Sequence, residues 1–153
     1  GILYGIPEQK ESHNDSGPAK QATTTETNTS YLDQIDEQTL DQVEALLNPL
    51  MEKEQLFLNP NLKVADLSTS TGFSAHKLAA YFNKRCGQGF NEYINQLRIN
   101  YCAAKLESGE YRAKTLDALS YESGFQSRST FIRAFKKCKG LTPSEFIQVV
   151  KQV

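Results

Sequence analysis

The sequence repeats itself. Asp66-Leu67-Ser68-Thr69-Ser70-Thr71-Gly72-Phe73-Ser74 and Ala118-Leu119-Ser120-Tyr121-Glu122-Ser123-Gly124-Phe125-Gln126 share the pattern Leu-Ser-x-x-x-Gly-Phe at a separation of 52 residues. With one extra residue allowed, the match continues: Leu78, Phe82, Lys84 and Gly87 align with Phe131, Phe135, Lys137 and Gly140. Two copies of one small unit, each too short to bury an apolar face alone, limit the chain to architectures in which the copies are held against a common scaffold.

Each copy reads as a short helix, a tight turn and a second helix. The first runs from Val64 to Thr71, turns at Gly72 and resumes from about Ser74 to Arg85; the second runs from Leu116 to Ser123, turns at Gly124 and resumes from about Ser127 to Cys138. Glycine accepts the positive φ that reverses the chain in so few residues, and the phenylalanine after it can pack under the turn and set the angle between the helices. Between the copies, Phe90, Tyr93, Leu97, Tyr101 and Ala104 form a helical stripe from about Asn91 to Glu107, closed by Ser108-Gly109. This linker helix would be about 25 Å long. A last helix opens at Thr142-Pro143-Ser144-Glu145, with a threonine cap, a proline in the first turn and a glutamate three residues past the cap.

Ahead of the repeats, Leu40, Val43, Leu46, Leu47, Leu50 and Met51 fall at helical spacing, with Thr39 and Gln42 as a capping box; Pro49 predicts a kink or a restart, and Asn59-Pro60-Asn61 a turn. Residues 7–30 are polar and nearly free of large apolar groups, the composition of a flexible linker, and residues 1–6 carry Ile2, Leu3, Tyr4 and Ile6, readable as the stub of a membrane segment, a tag remnant or a loosely docked strand. The expected division is a flexible acidic tail over 1–38 and a tandem helix-turn-helix domain over 39–153. The latter divides into a preceding helix at 39–58, a first helix-turn-helix at 62–87, the linker helix at 90–108, a second helix-turn-helix at 115–140 and a terminal helix at 142–152.

The formal net charge of −1 conceals two segments of opposite sign. Residues 1–61 hold three lysines against eleven acidic groups, for −8, whereas residues 62–153 hold fourteen Lys and Arg against seven acidic groups, for +7. A net basic segment can approach a polyanion. Cys86, Cys102 and Cys138 are an odd number at wide spacings with no Cys-x-x-Cys pair, so structural thiols are expected rather than a disulfide framework or a zinc site. No cofactor or metal is expected. No apolar run approaches the ~20 residues that span a bilayer, and the basic part is expected in the cytoplasm.

In the second copy, Phe131 and Phe135 point inward and leave an outer face of Arg128, Ser129, Arg133, Lys136 and Lys137. An arginine near a helix start can reach guanine O6 and N7, and lysines toward the end meet phosphates. In the first copy the outer face carries Ala75, His76, Lys77, Ala79, Ala80, Asn83 and Lys84, which is poorer in donors. Charges on one amphipathic helix ordinarily just keep it soluble. Two matched units joined by a rigid helix in a basic segment suit insertion of two helices into successive major grooves, one turn or ~34 Å apart.

These residues resemble the AraC-type family of transcription regulators. The resemblance covers about Leu62 to Gln148 and is densest over Gly124-Phe125, Phe131, Phe135-Lys136, and Gly140-Leu141-Thr142-Pro143-Ser144-Glu145-Phe146. It implies an all-α, homeodomain-like fold of seven helices, two helix-turn-helix subdomains joined by a long linker helix, here with an extra N-terminal helix and a flexible tail. It also implies base-edge contacts from His76, Ala79, Ala80, Arg128, Ser129 and Arg133, and phosphate contacts from Ser74, Lys77, Lys84, Arg85, Ser127, Lys136 and Lys137. The alanines depart from the long polar residues often found there, so the first helix either reads thymine methyls or mainly positions the protein. Ser68 and Ser120 stand where the family usually has alanine, and Gln148 where an arginine often follows the final aromatic. The implied partners are double-stranded DNA, RNA polymerase and, in the intact protein, a second copy of the chain. The family's sensor domain is not within this chain, which reads as a C-terminal fragment of a regulator with a remote or membrane-anchored sensor.

Two rival readings come from other classes. An alkyl-accepting enzyme would need an activated cysteine, yet no cysteine has a histidine beside it in sequence, so no enzyme is expected. An interaction or dimerisation module would use the apolar stripe of the helix at 39–54, unless that stripe caps the first helix-turn-helix.

Overall fold

A computed structural model describes residues 35–153. The described chain is all-α, with seven α-helices: α1 (Glu37–Glu52), α2 (Val64–Thr71), α3 (Ala75–Arg85), α4 (Phe90–Glu107), α5 (Leu116–Glu122), α6 (Arg128–Lys139) and α7 (Pro143–Lys151). Single 3-10 turns at Leu56–Leu58 and Glu110–Arg112 lead into α2 and follow α4. Of the tail expected over 1–38, residues 1–34 with the apolar stub lie outside the described residues, while Glu37 and Gln38 belong to α1.

Helix α1 opens two residues earlier than its hydrophobic pattern predicts, because Asp36 takes the cap: its carboxylate accepts the Thr39 amide at 2.9 Å. The Thr39 hydroxyl, and after it that backbone bond, hold the Asp36 carboxyl below its usual range. The restart expected at Pro49 does not occur. Proline removes one amide donor close to the end of the helix, and burial of Leu47 and Met51 on either side carries the helix through to Glu52. Among the described residues α1 is the first of the seven helices rather than an eighth added to them, with Leu40, Val43, Leu47 and Met51 buried in the core that also holds Leu67 of α2 and Leu78 and Phe82 of α3.

The apolar interior is divided in two. The first core gathers α1, α2, α3 and the leading half of α4 around Phe82, whose ring lies 5.0 Å from Tyr93 and 5.7 Å from Phe90. The second gathers the trailing half of α4 with α5, α6 and α7 around a chain of edge-to-face rings, Phe125, Phe131, Phe135 and Phe146, at 5.4, 5.8 and 5.3 Å. Helix α4 therefore carries two stripes. Tyr93, Ile94, Leu97 and Tyr101 face the first core, and Ile99, Cys102 and Leu106 face the second. Ala104, which sequence periodicity places in the single expected stripe, is exposed.

Local chemistry sets each helix end. Ser74, Thr115, Ser127 and Thr142 cap α3, α5, α6 and α7 by accepting the amide three residues on, and Thr142 with Glu145 completes the predicted capping box. Gly72 and Gly124 sit at φ +82° and +99° between the helices of each pair. In the first turn the Ser68 hydroxyl donates to the Phe73 carbonyl at 2.6 Å, while the buried Ser120 hydroxyl donates to the Asp117 carbonyl, so both serines at family alanine positions are satisfied.

The two units are also clamped directly. From α4, Arg98 Nε donates to the Phe57 carbonyl at 2.7 Å and its Nη2 to the Asn59 carbonyl at 2.8 Å, while the guanidinium lies 5.8 Å from the Phe125 ring centroid. Gln126, just past the second turn, donates to the Pro60 carbonyl and the Asn61 side chain. The loop before α2 is thereby fastened to the turn of the second unit. A Cβ at Gly124 would stand 2.7 Å from the Phe57 oxygen and 2.8 Å from Arg98 Nε, whereas one at Gly72 meets nothing within 4 Å. Gly72→Ala is expected to cost only the backbone term, about 1–2 kcal/mol. Gly124→Ala adds a steric conflict with the clamp and is expected to cost at least ~3 kcal/mol. Urea denaturation of the two variants checks the ranking, and equal losses would contradict it.

Candidate nucleic-acid interface

The second helix of each pair, α3 and α6, offers an outer face framed by the turn before it. On α6, Phe131 and Phe135 are buried, and Ser127, Arg128, Ser129, Arg133, Lys136 and Lys137 are all exposed. With Lys139, this helix carries five cationic side chains and no acidic one. Among the described residues Arg133 and Lys136 have no ion-pair partner; Lys137 stands 3.4 Å from Glu92 of α4, and Arg128 stands 2.6 Å from Asp117 of α5. Both pairs are well exposed, and surface pairs of this kind contribute little to stability. Arg133 and Lys137 also line one wall of a cleft of about 400 Å³ whose other wall is α4, with Glu92 and Gln96.

On α3 the face is narrower. Ser74, Ala75, His76, Asn83 and Lys84 are exposed, and Lys77 and Ala79 are half-buried, with the Lys77 ammonium 5.9 Å from the Phe73 ring centroid. Ala80 corrects the sequence-based reading. It is 1% exposed, buried along with Leu78, Tyr81 and Phe82, so its methyl does not reach a base edge. The arc of α3 given over to packing is wide because the helix lies against α1 as well as α2 and α4, and a one-carbon side chain at its margin does not clear the surface.

Arg85 is the second correction. Its guanidinium is not turned to solvent as a phosphate donor but to the acidic side of α1, with Nη2 2.7 Å from both Glu37 and Asp41 and Nη1 3.8 Å from Glu44. These carboxylates hold it well above the ordinary guanidinium range. Tyr81 joins the same network through its hydroxyl, which donates to Glu44 at 3.3 Å. Sequence reading missed this because the partners lie more than forty positions upstream.

The serines that begin α3 and α6 serve first as caps. Ser74 Oγ accepts the Lys77 amide and Ser127 Oγ the Thr130 amide, and Ser127 also shares a hydrogen bond with Ser129 at 3.0 Å. An accepting hydroxyl keeps its own proton to donate, so capping and a phosphate contact are compatible. Burial pushes the Cys86, Cys102 and Cys138 thiols all upward, away from the thiolate of a nucleophile, and at the exposed Cys138 it does so against the downward pull of Lys139 and Lys137. Among the described residues no group of histidines, cysteines and carboxylates is arranged to hold a metal ion, and no helix is long and apolar enough to cross a membrane.

Removing the Arg85 side chain tests its reassignment. Arg85→Ala is expected to lower Tm while leaving the salt dependence of duplex affinity as in the parent chain; an unchanged Tm with a reduced salt slope would return Arg85 to the phosphate-binding set.

Comparison with known proteins places this arrangement. A family model described as a helix-turn-helix domain matches residues 67–148, more than half of the chain. Similar curated proteins include uncharacterized HTH-type transcriptional regulators of Staphylococcus aureus, 29% identical over 100 residues, and an AraC-like transcription regulator of Streptomyces lividans, 35% identical over 83 residues. The matches cover 65% and 54% of this chain, which spans only 13% and 26% of the length of those relatives. Among solved structures, a Listeria innocua protein of unknown function aligns with a TM-score of 0.57 at 26% identity, over 67% of this chain and 94% of that one. The C-terminal domain of the two-component response regulator yesN from Fusobacterium nucleatum aligns with a TM-score of 0.56 at 24% identity, over 68% and 95%. That of AraT, a response regulator from Geobacillus stearothermophilus, aligns with a TM-score of 0.57 at 16% identity, over 76% and 88%. The duplicated glycine turns, the shared α4 and this match together make the chain a member of the AraC-type helix-turn-helix family.

Proposed function

We propose that this chain is the DNA-binding output unit of a transcription regulator and that it places α3 and α6 in successive major grooves of one duplex. The observation that carries the reading is the pairing of two serine-capped helices, each buried on its turn side and open on the other, with the cationic one clamped in place through Arg98. The relatives' names, as transcriptional regulators, support the same reading. A unit of this kind works where DNA is, in the cytoplasm, and needs no cofactor and no catalytic residue.

Roles are divided unequally between the two helices. Arg128, Ser129 and Arg133 of α6 read base edges, since arginine forks match guanine and hydroxyls accept or donate to any base. His76 contributes from α3, and Ala79 offers an apolar contact to a thymine methyl. Ser74, Lys77, Lys84, Ser127, Lys136 and Lys137 contact phosphates and fix register without reading sequence. RNA polymerase, a sensor domain and a second copy of the chain are partners of the intact regulator in this proposal. The apolar stripe of α1 is not assigned to a partner, because Leu40, Val43, Leu47 and Met51 are buried in the first core and Leu50 is half-buried, which leaves Leu46 as its one exposed member.

Duplex affinity is expected to fall steeply with salt, with a log-log slope of about −0.9 per phosphate neutralised. Fluorescence anisotropy across a salt series reads this directly, and a flat response would defeat the proposal. On a site selected from a random duplex pool, Arg133→Ala is expected to cost ~1–3 kcal/mol and to relax preference at one position, whereas Lys137→Ala weakens all sequences alike. Equal, sequence-blind losses for both would remove Arg133 from the reading set.

A further inference from the structure

We propose that Asp117 is a specificity-determining positioning residue, whose carboxylate holds one edge of the Arg128 guanidinium so that the other edge is presented to a guanine. This rests on the assignment of Arg128 as a base reader. Asp117 Oδ1 accepts from Arg128 Nη1 at 2.6 Å across the turn from α5 to α6. Their side chains are 65% and 64% exposed, so the contact is made in water. An exposed ion pair adds little to stability and restricts two side chains, so the fold gains little from keeping it. Its effect falls on the arginine.

A guanidinium has five N–H donors, and Asp117 takes one. Among the described residues Nε and Nη2 make no hydrogen bond, and that edge of the guanidinium can donate to guanine O6 and N7 together. An arginine already restrained on one side loses less rotamer freedom when it meets a base, and it discriminates more sharply because fewer alternative poses remain. The element that fixes the distance is the Gly124 turn, itself held by the Arg98 clamp.

The internal repeat supplies an independent observation. By the register that matches Asp66 with Ala118, the counterpart of Asp117 is Ala65; by the register that matches Leu78 with Phe131, the counterpart of Arg128 is Ala75. Both members of the pair are present in the second copy and both are alanine in the first. An acid that served only the start of its own helix would have no reason to accompany the arginine.

A carboxylate beside an arginine can also act as a gate that competes with DNA for it, and the two roles differ in outcome. The 153-residue chain, its Asp117→Asn variant and its Arg128→Ala variant are titrated against the duplex recovered by selection and against every single-base variant of that duplex. Positioning predicts that Asp117→Asn flattens preference by about tenfold at one base pair, the same pair that Arg128→Ala flattens. Affinity for an unrelated duplex, which also reports correct folding, shifts by no more than one removed charge explains. Uniform tightening on all duplexes, or an unchanged profile at the Arg128 position, overturns the proposal. If Arg128→Ala leaves every position as sharp as the parent, the proposal falls together with Arg128 as a reader, while DNA binding by the chain is judged separately by its salt response.

Discussion

The arrangement of this molecule depends on a cation placed where two backbones meet. Arg98 leaves the side of α4, gives two N–H groups to the carbonyls of Phe57 and Asn59, and lies near the Phe125 ring. The carbonyl of the buried Phe57 needs a donor, and a guanidinium supplies one to it and a second to the exposed Asn59 carbonyl from one stem. Burial pulls Arg98 below its ordinary value, yet arginine remains charged at any relevant pH, so the clamp does not titrate. What it fixes is the attitude of the second turn toward the first unit. A linker helix alone would set their spacing and leave the turn side of the second unit to the packing of apolar side chains.

The asymmetry between the two probing helices follows from what packs behind them. Helix α3 is bound by α1 on one side, through Leu40, Val43 and the Arg85 network, and gives up Ala80 and Tyr81 to burial. Helix α6 buries only Phe131 and Phe135 and keeps long cationic side chains over the rest of its surface. Duplication therefore produced two similar scaffolds with different surfaces: one anchored by its neighbour, the other open to a polyanion.

Features carried by adjacent residues were legible in the sequence. The glycine turns, the Thr142 to Glu145 box and the inward pairs Leu78 with Phe82 and Phe131 with Phe135 are decided within a few positions and stand where pattern puts them. Features made by distant residues were not. Arg98, Arg85 and Gln126 reach partners 39 to 66 positions away, and no local signal marks them. Helix α4 conceals its second stripe for a different reason: with apolar groups on two sides its period is blurred, so the pattern does not mark Ile99, Cys102 and Leu106 and puts Ala104 in a stripe it does not join. Resemblance to relatives erred at Ala80, where the position is shared with longer residues but the side chain is not.

Because α4 serves both interiors from opposite flanks, neither half of the molecule owns a complete hydrophobic centre. Cutting the chain anywhere along that rod strips one cluster of a wall, as surely as removing a shared party wall opens two houses. The repeat is thus visible in the letters but not separable in the object: the smallest piece that can be inherited, transplanted or secreted with its interior closed is the pair.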